Sequence, residues 1–242
     1  MTKLSVNINK VALLRNTRDL GIPSVLRAAE TAVRAGAQGI TVHPRPDQRH
    51  IRPSDVYELA DFIAGQPGIE FNIEGNPFPD FIAIVRRVQP HQCTLVPDSA
   101  AQSTSDHGWD LRMDSNRLKP IVSELRGMGC RVSLFMDPDI DQIRRAPETG
   151  ADRIELYTQP YAAAFESGEV GPVLEQYARS AAVAQEFGLG VNAGHDLNLH
   201  NLGKFCQTPN IAEVSIGHAL IADALDMGLF EAVRAYLKIL AS

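Results

Sequence analysis

Short runs of β-branched and alternating apolar residues recur along the chain, and segments with helical spacing of apolar residues separate them. Several of these segments, such as 23–36, 54–65, 115–129 and 173–188, open on Ser, Asp or Asn or close on Gly, as helices do. The β-rich runs are 4–9, 39–44, 70–75, 92–97, 131–136, 153–158, 189–194 and 213–218. The pattern predicts a strand followed by a helix, repeated eight times.

Strands that alternate with helices of this length pair in parallel through right-handed crossovers. Eight units of roughly 30 residues match the ~250 residues that are usual for a (β/α)8 barrel. No Pro/Ser-rich linker or low-complexity stretch divides the chain. We therefore predict an α/β fold, a single-domain (β/α)8 TIM barrel over residues 1–242, with a doubly wound open sheet as the alternative.

Two segments depart from this alternation of strands and helices. Residues 98–114 form a long polar stretch after the fourth β-run, and such a loop in a compact domain is typical of a functional lid. The tail from Ala219 to Ser242 reads as two helices separated by Gly228. A short extra helix after the eighth strand often helps barrels to hold phosphate.

Composition narrows the class of protein. With 23 Lys and Arg against 29 Asp and Glu, the formal net charge is −6, so we expect binding neither to nucleic acid nor to anionic membranes. No apolar run reaches the roughly 18 residues that span a bilayer, and no secretory signal opens the chain, which predicts a cytoplasmic protein. The three cysteines lie far apart, and we predict buried thiols rather than disulfides or a zinc site.

Polar side chains stand where the β-runs end. In a parallel barrel the active site lies at the carboxyl ends of the strands, so these positions are the informative ones. Four of the seven histidines are among them, which indicates a functional group of residues rather than chance. The strand-end residues are Asn7, Asn9, Lys10, His43, Arg45, Arg49, His50, Glu74, Glu155, Asn192, His195, Asp196, Gly217 and His218.

Glycines and arginines at the same rim predict a phosphorylated substrate. Gly194 and Gly217 close the last two β-runs, where barrels commonly present backbone N–H groups to phosphate. A phosphate also needs charged partners, and the candidates are Lys10, Arg15, Arg18, Arg45 and Arg49. Arg15 or Arg49 could instead form a surface ion pair.

The absence of several catalytic sequence motifs disfavours some classes of reaction. Of the five lysines only Lys10 falls at a strand end, which disfavours an enzyme-bound imine, and the first run ends in N-I-N rather than H-x-H. No G-x-S-x-G nucleophile motif is present. A divalent ion held by His43, Glu74, His195 and His218 stays open as an alternative. The residues favour proton transfer by Glu74 and several imidazoles.

The motifs VNINK-x4-RNTR, GITVHPRPDQRH, NIEGNP, PHQCTLVP, RIELYT, VNAGHDL and SIGHA closely resemble the pyridoxine 5′-phosphate synthase family. The resemblance runs from the first strand to the last. It implies a (β/α)8 barrel, a homo-octamer and a transferase of vitamin B6 biosynthesis that uses neither metal nor organic cofactor. The implied reaction joins 1-deoxy-D-xylulose 5-phosphate to 3-amino-2-oxopropyl phosphate and yields pyridoxine 5′-phosphate, inorganic phosphate and water, with an imine between the two substrates.

The resemblance also implies residue roles. His43 and Glu74 correspond to general bases, His195 to the proton donor, and Glu155 to a carboxylate that stabilises the transition state. The contacts implied for the deoxyxylulose phosphate are Arg45, His50 and Thr104. The contacts implied for the amino-ketone phosphate are Asn7, Arg18, Gly217 and His218.

The chain departs from the family pattern at two places. Asn9-Lys10 stands where one form of the pattern has Asp-His, which bears on sugar binding, and Asp196 stands where Gly is frequent after the catalytic histidine. A backbone contact at Asp196 to substrate survives this change, but a carboxylate beside a phosphate is unfavourable unless it points away. Two alternatives to the synthase are a metal-dependent aldolase or hydrolase of small keto compounds and a barrel that only binds sugar phosphates.

Overall fold

The computed structural model describes residues 1–99, 102 and 105–241. Its eight strands pair in parallel in chain order, and the eighth pairs with the first, so the sheet closes into a barrel. The strands are β1 (Lys3–Asn7), β2 (Gly39–Val42), β3 (Glu70–Gly75), β4 (Gln92–Leu95), β5 (Arg131–Met136), β6 (Arg153–Tyr157), β7 (Gly190–His195) and β8 (Ile211–Ile216). The predicted (β/α)8 barrel is confirmed, and the open-sheet alternative is wrong.

Helices follow the strands and cover the outside of the barrel. They are α1 (Asn9–Asn16), α2 (Val25–Ala35), α3 (Pro53–Ala64), α4 (Pro79–Val88), α5 (Leu111–Gly127), α6 (Ile140–Ile143), α7 (Gln159–Ser167), α8 (Val170–Glu186), α9 (Leu202–Phe205), α10 (His218–Met227) and α11 (Leu229–Leu240), with a 3-10 helix at Ala146–Thr149. The tail forms the two predicted helices, and they meet at Gly228, whose φ of 82° ends α10. None of the helices in the described part of the chain is long and apolar enough to cross a membrane.

The apolar core lies between the helices and the outer face of the barrel. In β1, for example, Leu4 and Val6 are fully buried against the helix layer. In α2, Ala29 and Ala32 are also fully buried, and their small side chains let the helix approach the sheet. Two of the three cysteines, Cys93 and Cys130, are buried free thiols, as the sequence predicts, and Cys206 is a partly buried one.

Most of the inward-facing positions of the strands are polar. Alternate residues of a barrel strand face the axis. The hydroxyls of Ser5 and Thr41 lie 2.7 Å apart, and Thr41 accepts a bond from Asn72, whose Oδ1 accepts from Thr94. Barrel interiors are usually filled with Val, Ile and Leu. Here hydrogen-bonded side chains fill the layer below the mouth, which places polar partners next to the carboxyl groups above it.

The boundaries of two predicted elements change. The run 4–9 ends early, because β1 stops at Asn7, and Asn9 and Lys10 open α1. The polar segment 98–114 is also shorter than predicted, because α5 begins at Leu111 behind the Asp110 side chain, which accepts a bond from the Arg112 N–H. Residues 100, 101, 103 and 104 of the predicted lid lie outside the described residues.

Candidate active site

A cavity of about 530 Å³ opens at the carboxyl ends of the strands. Barrel enzymes carry their active sites at this end, and roughly 300–1,000 Å³ is typical of small-molecule sites. The residues singled out from the sequence that line it are Asn7, Asn9, Lys10, His43, Arg45, Arg49, His50, Glu74, Glu155, His195, Asp196, Gly217 and His218. The fold therefore brings residues from six βα units to one mouth.

Five other candidates are not among the described residues that line this cavity, and two of them, Asn192 and Gly194, lie within β7. Arg18 is exposed and does not line the cavity. Thr104 lies outside the described residues. Arg15 is buried in an ion pair with Asp55 and donates to the carbonyl oxygen of His50 at 3.3 Å. Arg15 thus forms an ion pair, but a buried one rather than the surface ion pair expected as the alternative, and it fixes the loop that carries His50.

The carboxyl ends of β1, β3 and β8 approach each other closely. The amide of Asn7 donates to Oε2 of Glu74 at 3.4 Å, across the mouth of the barrel. A Cβ atom on Gly217 would lie 3.2 Å from the side chain of Asn7. Glycine therefore lets the first turn of α10, which begins at His218, come close to Asn7. The backbone N–H groups of that turn have no partner within the helix, which makes it suited to an anion.

Arg45 is fixed by an acidic residue that the sequence reasoning did not select. Nη1 of Arg45 lies 3.1 Å from Oδ2 of Asp98, and both side chains are almost fully buried. Nη2 of Arg45 donates to the carbonyl oxygens of Ser99 and Gln102. Asp98 also accepts a bond from Ser105 at 2.9 Å. Asp98 directly follows the fourth β-run. Including the residue after that run among the strand-end candidates would have found it.

The two histidines that follow β2 favour their neutral forms. Burial lowers the pKa of His43 well below its usual value, and the nearby His50 and Arg45 lower it further. Burial, together with the positive charges of Arg45 and Lys10, lowers the pKa of His50 to about 4. Nδ1 of His50 accepts the backbone N–H of Ile51 at 2.9 Å. At neutral pH His43 can therefore accept a proton or a hydrogen bond, whereas His50, whose Nδ1 is already an acceptor, presents its Nε2–H as a donor.

The two glutamates of the mouth favour their protonated forms. Burial raises the pKa of Glu74 well above its usual value, and the negative charges of Glu155 and Asp98 add to the effect. Burial and the charge of Glu213 raise the pKa of Glu155 to about 8. Gly194 leaves the space that Glu155 occupies, since a Cβ atom there would overlap Oε1 of Glu155. Oε2 of Glu155 is buried without a hydrogen-bond partner among the described residues.

His195 ends β7 with its ring beside two side chains. Nδ1 of His195 lies 2.6 Å from Oδ2 of Asp196. The ring of Tyr157 meets the imidazole edge to face, with 5.2 Å between the ring centroids. Tyr157 was not selected from the sequence, although it ends the sixth strand. The residues that line the cavity and were not selected from the sequence are Leu13, Val96, Ser105, Phe135 and Ser215.

This arrangement suits acid and base catalysis on an anionic substrate. Groups with opposite pKa shifts face one cavity: imidazoles that stay neutral and carboxyl groups that keep a proton. Lys10, Arg45 and Arg49 add positive charge at the same mouth. Arg49 also forms an ion pair with Asp47 at 2.5 Å. Among the described residues no three His, Cys, Asp or Glu side chains form a group that could hold a metal ion, so the alternative set His43, Glu74, His195 and His218 is not such a group.

The sequence matches one family along nearly its whole length. A family model described as pyridoxal phosphate biosynthesis protein PdxJ matches residues 4–242. The pyridoxine 5′-phosphate synthase of Albidiferax ferrireducens is 55% identical over 246 residues, which cover 99% of this chain and 98% of the relative. The pyridoxine 5′-phosphate synthase of Xylella fastidiosa (strain M23) is 52% identical over 249 residues, which cover 100% of this chain and 95% of the relative.

Solved structures of other enzymes share the barrel at low sequence identity. The thiamine phosphate pyrophosphorylase from Pyrococcus furiosus has a TM-score of 0.62 at 15% identity, over 98% of this chain and 94% of that chain. The phosphoribosyl anthranilate isomerase from Thermotoga maritima has a TM-score of 0.58 at 14% identity, over 99% of this chain and 98% of that chain. At such identity the likeness concerns the fold alone.

Proposed function

Since this chain belongs to the pyridoxine 5′-phosphate synthase family, an enzyme family of vitamin B6 biosynthesis, we propose that it condenses two phosphorylated substrates at the mouth of its barrel. The substrates are 1-deoxy-D-xylulose 5-phosphate and 3-amino-2-oxopropyl phosphate. The products are pyridoxine 5′-phosphate, inorganic phosphate and water. The observation that carries this assignment is one cavity in which neutral imidazoles, protonated carboxyl groups and cations meet.

The carbon–nitrogen bond forms first. The amino group of one substrate attacks the keto carbon of the other, and the oxygen leaves as water. The resulting imine joins the two substrates, so no enzyme lysine is needed. Lys10 is the lysine among the described residues that line the cavity, and its charge suits a phosphate instead. Holding both substrates in one cavity makes the step effectively unimolecular.

Ring closure requires the removal of protons from carbon, the loss of water and the departure of one of the two phosphates as inorganic phosphate. His43, neutral at physiological pH, is suited to accept a proton as it is. Burial raises the pKa of Glu74, and a cationic imine nitrogen beside it lowers that pKa and so favours the carboxylate that acts as the base. His195 acts as the proton donor to departing oxygen. Glu155, which keeps its proton up to about pH 8, stabilises developing charge by donating a hydrogen bond.

The two phosphates take separate positions around the mouth. Arg45 and His50 follow β2 and line the cavity together with Lys10 of α1, and we assign the deoxyxylulose phosphate to them. Gly217 and His218 begin α10 after β8, and we assign the amino-ketone phosphate to that turn. Because β2 and β8 both pair with β1, the two sites lie next to each other, and the substrates can meet between them.

The direct test supplies both substrates to purified protein and measures inorganic phosphate and pyridoxine 5′-phosphate. We expect both products in equal amounts, and none when either substrate is omitted. Exhaustive dialysis against a chelator should leave the rate unchanged. Activity that disappears on dialysis and returns with a divalent cation would favour the metal-dependent aldolase or hydrolase instead.

Assembly and location stay predictions. The family resemblance implies a homo-octamer, and light scattering of the purified chain measures the number of subunits directly. The cytoplasmic location and the lack of nucleic-acid binding are expectations from the sequence alone. A fluorescent fusion and a filter-binding assay test them.

A further inference from the structure

The carboxylate of Asp196 faces the imidazole of the residue before it. Its Oδ2 lies 2.6 Å from Nδ1 of His195, a distance typical of a charge-assisted hydrogen bond. We propose that Asp196 is a positioning residue that keeps a proton on Nδ1 of His195 and thereby makes Nε2 the nitrogen that exchanges protons with substrate. This inference rests on the proposed function, in which His195 is the proton donor.

The backbone at this turn is set up to bring the two side chains together. His195 has a φ of 102°, a conformation that costs a residue with a Cβ atom free energy and persists only where its surroundings impose it. The carbonyl oxygen of the preceding Gly194 accepts both the hydroxyl of Thr158 at 2.6 Å and its backbone N–H at 3.1 Å. On the other side, Asn201 donates its amide to the carbonyl oxygen of Asp196 at 3.1 Å. The strained residue is therefore anchored before and after.

The ring of His195 is also packed on its side. Tyr157 meets it edge to face at 5.2 Å between centroids, and the Tyr157 side chain is itself buried. Packing limits the tilt of the imidazole, but it does not decide which nitrogen carries the proton. The carboxylate decides that, because an ionised Asp196 can only accept a hydrogen bond, so Nδ1 must donate.

The same contact resolves a difficulty raised by the sequence. A carboxylate next to a bound phosphate is repelled, and the family pattern frequently has glycine at this position. Here the carboxylate is turned to the imidazole and is balanced by it whenever His195 is doubly protonated, which is the form that donates a proton. A carboxylate in this relation to a catalytic histidine holds the tautomer and stabilises the imidazolium.

The test compares Asp196→Asn, Asp196→Gly and Asp196→Glu with Glu166→Gln. Glu166 is exposed, lines the shallow cavity on the outer side of His195 and Asp196, and gives a control with the same change of charge. We expect kcat to fall about 10- to 100-fold in the Asn and Gly variants, less than the roughly 10²- to 10⁴-fold contribution of a general acid, because His195 itself stays in place. KM for each substrate should change less than about threefold, Asp196→Glu should recover part of kcat, and Glu166→Gln should match wild type.

A spectroscopic measurement separates orientation from activity. With histidine labelled with 15N, His195 is assigned as the signal that is lost in His195→Gln. We expect the Nδ1–H tautomer in the neutral ring of wild type and a mixture dominated by Nε2–H in Asp196→Gly. An unchanged tautomer and unchanged kcat in Asp196→Gly would overturn the proposal. A change in KM for one substrate at constant kcat would instead make Asp196 a substrate contact.

The same variants also test the role of His195 separately. Full turnover in His195→Gln would remove His195 from the proposed reaction, whatever the tautomer shows. Loss of turnover in His195→Gln with normal kcat and an unchanged tautomer in Asp196→Gly would leave the proposed reaction intact and overturn only the positioning role of Asp196.

Discussion

The side-chain oxygen of Asn9 accepts a hydrogen bond from the backbone N–H of His43 at 2.9 Å. The bond ties the first turn of α1 to the residue that follows β2. The backbone N–H of Asn9 in turn donates to Oδ1 of Asn7 at 3.0 Å. Asn9, for which the sequence suggests a contact to substrate, therefore also fixes the position of a proposed catalytic base.

Asn9→Ala removes the acceptor and leaves the buried N–H of His43 without its partner. Loss of such a bond costs about 1–3 kcal/mol, so we expect a melting temperature lower by several degrees and a reduced kcat. Asn9→Asp keeps an oxygen at the same place and should retain the stability of wild type. Thermal unfolding of the three proteins measures this. Equal stability of the Ala and Asp variants would show that the bond contributes nothing.

The barrel and most of the mouth follow from the sequence, because both depend on local pattern. Alternation of strands and helices determines the parallel topology, and topology alone brings His43, Glu74 and His195 to one end. Contacts between loops do not follow from such a pattern. Asp98 contacts Arg45 from another βα unit. The side chain of Asp196 contacts the ring of His195, a residue with a positive φ. No periodicity in the sequence encodes either arrangement.

Arg45→Ala should weaken affinity for the deoxyxylulose phosphate by about ten- to a hundredfold, since a charge-assisted hydrogen bond is worth roughly 1.5–3 kcal/mol. Affinity for the amino-ketone phosphate should change far less. Calorimetric titration with each substrate separately measures both. Equal weakening for the two ligands would contradict the division of the site.

The same variant also leaves the buried carboxylate of Asp98 without its cation, a loss that typically destabilises a protein by about 3–5 kcal/mol. The double variant Arg45→Ala/Asp98→Asn is the matched control. It should recover much of the stability while affinity for the deoxyxylulose phosphate stays weak. Affinity that returns together with stability would mean that Arg45 acts through folding rather than through the phosphate.

Glu74→Gln keeps the volume of the side chain and removes the proton acceptor. We expect turnover to fall roughly 10²- to 10⁴-fold, the usual contribution of a general base. Binding of each single substrate should persist, because Arg45 and the first turn of α10 are untouched. Rapid-quench measurement of one turnover, beside circular dichroism to verify the fold, makes the comparison. A variant that turns over at nearly the normal rate would exclude Glu74 as a base.

Glu155→Gln should stabilise the protein at alkaline pH. Burial raises the pKa of Glu155 to about 8 from a usual value of 4.5, so across that window the folded protein keeps a proton that the unfolded chain releases. The stability contributed by this group therefore falls as pH rises from 4.5 to 8, by at most roughly 1.4 kcal/mol per pH unit. The glutamine side chain does not titrate, so the variant does not lose this stability as the pH rises.

The free energies of unfolding of Glu155→Gln and wild type should thus be similar near pH 4.5 and diverge in favour of the variant up to about pH 8, beyond which the difference stays constant. Urea unfolding at a series of pH values measures this, with Glu186→Gln as the control at an exposed position. Because the buried carboxyl group and not the net charge causes the effect, the control should follow wild type throughout. A difference that is independent of pH would mean that Glu155 is ionised in the folded protein across the whole range.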